Sequence, residues 1–434
     1  MYFFAIVFYF ILVRKIVKNT ILNYLPVEIE IEKTINPSRI FEFNDYNIQS
    51  GNIIYLCERE IRVKDNFALN FALQKSKELA LSLKIIHPKI KYDYKQKQKF
   101  IDNQIEQAKT QFRNIGLDFE IIEKSPAKIF EKANPALLII DFNPLLKRKY
   151  LKNYNFKIIE IDGHNIIPAR FVSNKQEYSA ATLRRKIYQN ISSFLLEFNN
   201  ITQEKIEADF VLDDFIKNKL KNYCEFKNNP NKNVTSNLSK YLNLGFISSQ
   251  RVALEVVKSN VSKENKEAFL EELIVRKELA DNFCLYSKGF KNFSSIPLWA
   301  KLSLNEHLND FRQYVYSKNE FEFAKTHDDL WNATQMELIK TGKIHGYLRM
   351  YWAKKILEWT LNPKEALKIT IYLNDKYAYD SPSANGYTSI LWAQGALGDR
   401  AFQDYFVTGK IRRMTYESMK KKFDVSDYIN KFLN

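Results

Sequence analysis

The sequence predicts an α/β domain, with a parallel sheet and helices on both faces, followed by an all-α domain. Three observations carry this reading. Short β-rich apolar runs alternate with helical stretches from residue 53 to residue 162. After about residue 165 the strand pattern stops, and from about 207 to 432 almost every periodic segment has helical spacing. The length, 434 residues, is too great for one ordinary core, so two domains are the prior.

Taken in order, IIYLCE (53–58) reads as a strand and residues 66–83 as a helix. LKIIH (83–87) is a strand, and a long polar helix covers about 96–114. LDFEII (117–122) and ALLIID (136–141) are strands separated by a short helix at about 126–133. A helix near 144–152 leads to FKIIEID (156–162), which closes the series. Short apolar strands with helices between them imply parallel pairing and covered faces. No GxGxxG follows the first strand, so the standard dinucleotide fingerprint is absent. Residues 35–165 therefore read as the α/β domain, 166–206 as a connector with some helix, and 207–434 as the all-helical domain. Helices are expected over 263–286, 328–341, 344–361 and 363–374. Asn362 suits an N-cap, Pro363 a first helical position and Glu365 the third, so one helix ends and another begins there.

Residues 1–34 form an apolar N-terminal extension. MYFFAIVFYFILV is followed by Arg14 and Lys15. The run is shorter than the ~20 residues a membrane span needs. It has no basic stretch before it and no small-residue cleavage site. It reads as an appendage outside the folded domains, either a membrane-dipping tail or the product of an upstream start.

The net charge is +16 with a pI near 9.3. Such a surplus points to a polyanionic partner, nucleic acid first and an anionic membrane second. Cys57, Cys224 and Cys284 are scattered with no CxxC pair, and the five histidines make no HExxH pairing. No disulfide framework or metal site is indicated, and a reducing, cytoplasmic setting fits best. A monomer is the default expectation.

Four constellations bear chemistry. In VTSNLSKYLNLGFISSQR (234–251), Thr235, Ser236 and Ser239 crowd the start of a helical pattern, which suits a phosphate or a plain N-cap; on this segment alone the cap is favoured. In FLEELIVRKELADNF (269–283), Phe269, Leu273, Arg276 and Ala280 share a face, with Glu272 one turn before Arg276. That pair reads as a surface salt bridge or as a pair buried beside a ligand. In HGYLRMYWAKKILEW (345–359), one stripe is His345, Arg349, Trp352, Ile356 and Trp359. A guanidinium on a core-facing stripe cannot shed its proton and needs an anionic partner. Asp375, at the C-terminal end of the next helix, is the expected one, and SANGY (383–387) places Asn385 in a loop close by. Finally, Trp331, Trp352, Trp359 and Trp392 cluster late in the chain, as core packing or as a route for electrons to a buried redox cofactor.

These residues resemble the photolyase/cryptochrome flavoproteins, specifically the class II cyclobutane pyrimidine dimer photolyases. The resemblance runs from about Asn36 to about Tyr428. It is carried by EREIRVKDNFAL (58–69), SNKQEYSAATLRRKI (173–187), TSNLSKYLNLG (235–245), FLEELIVRKELADNFC (269–284), HDDLWNATQMELIKTGKIHGYLRMYWAKKILEW (327–359), IYLNDKY (371–377) and GKIRRMTYESMKKKFD (409–424).

The resemblance implies an antenna-type α/β domain, a connector and an all-α domain binding FAD. It also implies a blue-light-driven lyase that splits pyrimidine dimers in double-stranded DNA, with reduced FADH⁻ as the active form. An antenna chromophore, deazaflavin or folate, is implied without a choice between them. Tyr223, Thr235, Ser236, Leu238 and Ser239 match positions that hold the flavin's phosphates and ribitol. Phe269 falls with the cofactor contacts and Arg276 matches a diphosphate contact. Arg349 and Asp375 match an ion pair beside the isoalloxazine, and Asn374 or Asn385 faces flavin N5. Trp352, Trp331 and Trp359 match a chain that reduces the flavin by light. Glu272 matches the carboxyl that hydrogen-bonds the dimer, Met350 a dimer contact, and Trp392 an aromatic wall. Arg412 and Arg413 lie where DNA backbone is expected, with GKIRRM altered at Arg413, and Val275 stands where the wider family often has Trp. The resemblance admits a cryptochrome-type photoreceptor without repair activity, a (6-4) photoproduct enzyme, or a DNA-binding protein that has lost catalysis. The short C-terminal end and the single stripe histidine favour the dimer-splitting enzyme.

Overall fold

The structure is a computed structural model that describes residues 20–26, 28–32 and 34–433. The apolar run at residues 1–13 lies outside the described residues. The N-terminal half is built on a six-stranded sheet. Its strands are β2 (Ile40–Glu42), β3 (Ile53–Leu56), β4 (Leu83–Pro88), β5 (Phe119–Ile122), β6 (Leu137–Asp141) and β7 (Lys157–Ile161). They lie in the order β2-β7-β6-β3-β4-β5. All neighbours pair in parallel except β2, which runs antiparallel at one edge. The parity of β3 shows why its run has no polar positions: Ile53 and Tyr55 pack into a core shared with the helices, whereas Ile54 and Leu56 face a separate core with Phe130 and Phe156.

The expected strand series is present, with three differences. β2 is only three residues long, too short to leave a periodic signature. The helix expected near 144–152 is a single 3₁₀ stretch, Lys149–Asn153. The strands also do not all stop at residue 165: β8 (Glu197–Phe198) pairs in parallel with β1 (Ile31–Glu32). Between β7 and β8 the chain forms helices Ala169–Val172 and Ala180–Asn190. From Glu207 onward the structure is helical. The cap at Asn362 forms as its sequence implies, its side chain accepting the Lys364 N–H at 2.8 Å.

β3 has β4 on one side and β6 on the other, so the strand order reverses there. In open α/β sheets that point leaves a crevice at the strand ends. Here loop 57–66 fills it. Asp141 at the end of β6 accepts the backbone N–H groups of Glu58, Arg59 and Glu60 at 2.8, 2.8 and 3.0 Å, and the Tyr55 hydroxyl at 2.7 Å. The loop so shaped then docks the helical region. Arg59 pairs with Asp281 at 2.9 Å, Ile61 N–H donates to Leu244 O at 3.1 Å, and Arg62 donates to Gly245 O at 2.8 Å. Gly245 has φ +69°, and a Cβ there would stand 2.1 Å from Arg59 O, so only glycine permits this approach. One apolar core runs from β3 through Leu279, across the seam. Among the described residues no helix is long and apolar enough to cross a membrane.

Candidate functional site

A cavity opens among the helices beside this seam. Its space is about 790 Å³ counting its open mouth. Tyr223, Ser236, Ser239, Phe269, Glu272 and Asn385 are in its wall, all of them expected from the sequence. So are Arg59 and His164 from the α/β domain, and Lys277, Asp281 and Asp380, which sequence reasoning missed. Thr235, Leu238, Arg276, Arg349, Met350, Asn374, Asp375 and Trp392 are not in that wall.

An aromatic group forms one side. Phe269 stacks edge-on to Tyr223 at 5.3 Å and tilts against Phe215 at 4.6 Å. Burial pushes the Tyr223 hydroxyl well above its usual range, so it stays protonated and able to donate. On another side is the turn at Thr235–Leu238. Asn237 adopts φ +60°, and Ser236 Oγ accepts the Leu238 N–H at 3.3 Å. Leu238 itself is buried in the core, and the helix that Ser239 opens is only five residues long.

The continuous helix expected over 263–286 is interrupted. Lys263–Leu270 and Lys277–Tyr286 are α-helical, but Glu271–Arg276 is a π-helix. Its i→i+5 bonding widens each turn, so residues four apart no longer stack. The expected Glu272–Arg276 pair is accordingly not formed. Arg276 reaches Glu271, five residues back, at 3.4 Å, and Arg184 also holds Glu271. Glu272 is thereby released toward the cavity, where its carboxylate lies 3.2 Å from Lys227 Nζ. Its side chain is 49% exposed, so it stands at the mouth.

Arg349 does find a carboxylate, but not the expected one. Its guanidinium lies 3.4 Å from Asp380, in the loop beyond the next helix. Asp375 instead accepts the Tyr387 hydroxyl at 2.7 Å and the Asn374 amide at 3.3 Å, while Lys97 from the α/β domain donates to its backbone carbonyl at 2.8 Å. Burial raises the pKa of Asp375, and the Tyr387 and Asn374 hydrogen bonds partly offset this. Helix Pro363–Tyr377 turns Asp375 toward helix Ala384–Ala393, and the chain past Tyr377 carries Asp380 back to Arg349. The two candidate asparagines occupy different places. Asn385 is exposed in the cavity wall, whereas Asn374 is buried behind Gly386, where a Cβ would stand 3.1 Å from its Nδ2.

Trp352, Trp331 and Trp359 form a contiguous group in which Trp331 is the middle member. Its ring lies 6.5 Å from Trp352, nearly parallel, and 6.2 Å from Trp359 at 67°. Trp331 Nε1 donates to Trp352 O at 3.0 Å, and Trp352 Nε1 donates to Gln335 at 2.9 Å, fixing both rings. Trp392 lies apart from this stack and is 40% exposed; Met350 is partly buried. Arg412 and Arg413 are exposed, their guanidinium groups over Phe402 and Tyr405, and Arg413 lies 3.7 Å from Glu358. Among the described residues no His, Cys, Asp and Glu cluster is suited to a metal.

No protein-family model matches the sequence. The chain is, however, 33% identical to the deoxyribodipyrimidine photo-lyase of Potorous tridactylus, over 88% of this chain and 81% of that one. It is 34% identical to that of Arabidopsis thaliana, over 88% of each. It is 30% identical to that of Methanothermobacter thermautotrophicus, over 92% of this chain and 98% of that one. In fold it is similar to a class III photolyase of Agrobacterium tumefaciens (TM-score 0.66, 15% identity, 89% of this chain and 87% of that one). A Synechocystis cryptochrome is equally close in fold (TM-score 0.66, 14% identity, 89% of each). The fold is thus that of photolyases and cryptochromes, and the chain belongs to the deoxyribodipyrimidine photo-lyase family.

Proposed function

We propose that the chain is a class II cyclobutane pyrimidine dimer photolyase that holds FAD in the cavity of its helical domain. The observation that carries this reading is the meeting, at one cavity, of an aromatic wall, the Ser236 and Ser239 hydroxyls and the Glu272 carboxylate, with Asp380 in the wall held by Arg349. These residues fit a flavin nucleotide: apolar rings for the ring system, hydroxyls for the phosphates and ribitol, and a fixed ion pair for electrostatics. When bound and reduced, FAD supplies the light-driven electron that splits the cyclobutane ring.

The chain's own residues do the rest. Exposed basic side chains, Arg412 and Arg413 among them, grip duplex phosphates. The dimer leaves the stack, where a damaged pair costs least to extrude, as the handled base does in photolyases generally. Glu272 at the mouth hydrogen-bonds its base edge, with Lys227 holding the carboxylate before the lesion arrives. Arg349 and Asp380 keep opposite charges fixed within the site. The buried Trp352–Trp331–Trp359 group offers electrons a path through the helical domain. The alternative, a cryptochrome-type receptor, is compatible with the fold, which hosts both activities; the named relatives and the half-exposed Glu272 at the cavity mouth favour repair.

A duplex carrying a thymine dimer is expected to bind more tightly than the undamaged duplex, with log affinity falling linearly in log salt for both. Fluorescence anisotropy across a salt series checks this. Equal affinity for the two duplexes would count against lesion recognition.

A further inference from the structure

The turn at residues 235–238 holds a cation that, among the described residues, has no carboxylate in contact with it. Lys343 Nζ lies 2.7 Å from Thr235 Oγ1 and also contacts Asn237 Oδ1; both acceptors are neutral. Among the described residues no carboxylate comes within 4.0 Å of it. Glu337 and Asp380 attract it from farther off, and both are engaged elsewhere. Glu337 accepts the Tyr428 hydroxyl at 2.5 Å and the His345 N–H at 3.3 Å, and Asp380 pairs with Arg349. Arg349 and Lys219 add positive charge nearby. Burial, and then those two cations, pull the ammonium down to about 8 against the attraction of the two carboxylates.

The backbone that presents this lysine is fixed. Gly342 closes helix Asp329–Thr341 with φ +69°, and a Cβ there would stand 2.2 Å from the Tyr379 ring. Tyr379 N–H in turn donates to Gly342 O at 2.9 Å. A preorganised ammonium is therefore aimed at a hydroxyl-bearing turn whose middle member, Ser236, is in the cavity wall. A plain structural strut would not need a charge, because a neutral amide could bridge the same two oxygens. An excess of positive charge around hydroxyl donors is what an anionic oxygen requires.

We propose that Lys343 binds a phosphate of the dinucleotide cofactor, sharing its ammonium between a phosphate oxygen and the Thr235–Asn237 turn. This rests on the reading that the cavity holds FAD, and it adds a residue that the sequence motifs did not single out.

The test compares FAD with riboflavin, which has the same ring system and no phosphate, each titrated against the flavin-stripped full chain. Lys343→Met is expected to weaken FAD by about tenfold to a hundredfold, as loss of a hydrogen bond to a charged group implies. Riboflavin binding should stay within about twofold, a change that corresponds to less than half a kcal/mol. Lys343→Gln, which keeps a donor to the turn but no charge, should lose FAD affinity as the Met variant does, and Lys343→Arg should recover most of it. Equal loss of both ligands, unchanged FAD affinity, or full rescue by Gln would each overturn the assignment. If the wild-type chain takes up neither FAD nor riboflavin, the cavity reading fails instead.

Discussion

Glu272→Ala is expected to slow light-driven dimer loss by about tenfold to a hundredfold while leaving the flavin absorption spectrum unchanged. A hydrogen bond to a charged partner contributes about 1.5–3 kcal/mol, and each 1.36 kcal/mol is about tenfold in rate. The structure gives the reason for the separation between repair and spectrum. Glu272 stands at the cavity mouth on a π-turn, half exposed, with Lys227 as its one ion-pair partner among the described residues. Removing it takes no group from the aromatic side of the cavity and breaks no buried ion pair. Repair at the wild-type rate in Glu272→Ala would place lesion contact on other residues.

The second large effect concerns Trp331. Trp331→Phe is expected to abolish most light-driven reduction of the oxidised flavin. Repair by enzyme that has been reduced chemically should persist. Trp331 is the member that neighbours both other indoles, so its replacement leaves Trp352 and Trp359 without an indole between them. Phe keeps an aromatic ring but is harder to oxidise, and it lacks the N–H that donates to Trp352 O. That lost bond and the smaller volume should cost about 1–3 kcal/mol of stability, small enough for the variant to fold. Transient absorption after a laser flash measures the reduction. Unchanged photoreduction would reduce the three indoles to core packing.

Much of this architecture was legible in the sequence because it is written in period. β3 through β7 show as apolar runs, and the last quarter of the chain shows helical stripes that are buried as their spacing implies, Trp352, Ile356 and Trp359 among them. The cap at Asn362 is local chemistry and was equally readable. What escaped was set by geometry that spacing does not encode. β2 and β8 are too short to carry a period. The Glu272–Arg276 pairing was read at α-helical spacing, and the π-turn moved Arg276 onto Glu271. The stripe implies an anionic partner for Arg349, but the loop after Tyr377 decides that the carboxylate beside it is Asp380 and not Asp375. Lys343 lies in the 327–359 stretch, but its spacing gives it no role there. Its interest lies in having two neutral partners and, among the described residues, no carboxylate within 4.0 Å, which only the surrounding distances reveal.

The measurement that tests the central claim most directly is repair itself. The purified chain is reduced, mixed with an oligonucleotide containing a thymine dimer, and the dimer content is followed under blue light and in the dark. Loss of dimer in light alone, with intact thymines recovered, is the result expected of a photolyase. A bound flavin with no light-dependent loss would contradict the assignment and make the chain a photoreceptor on the same fold.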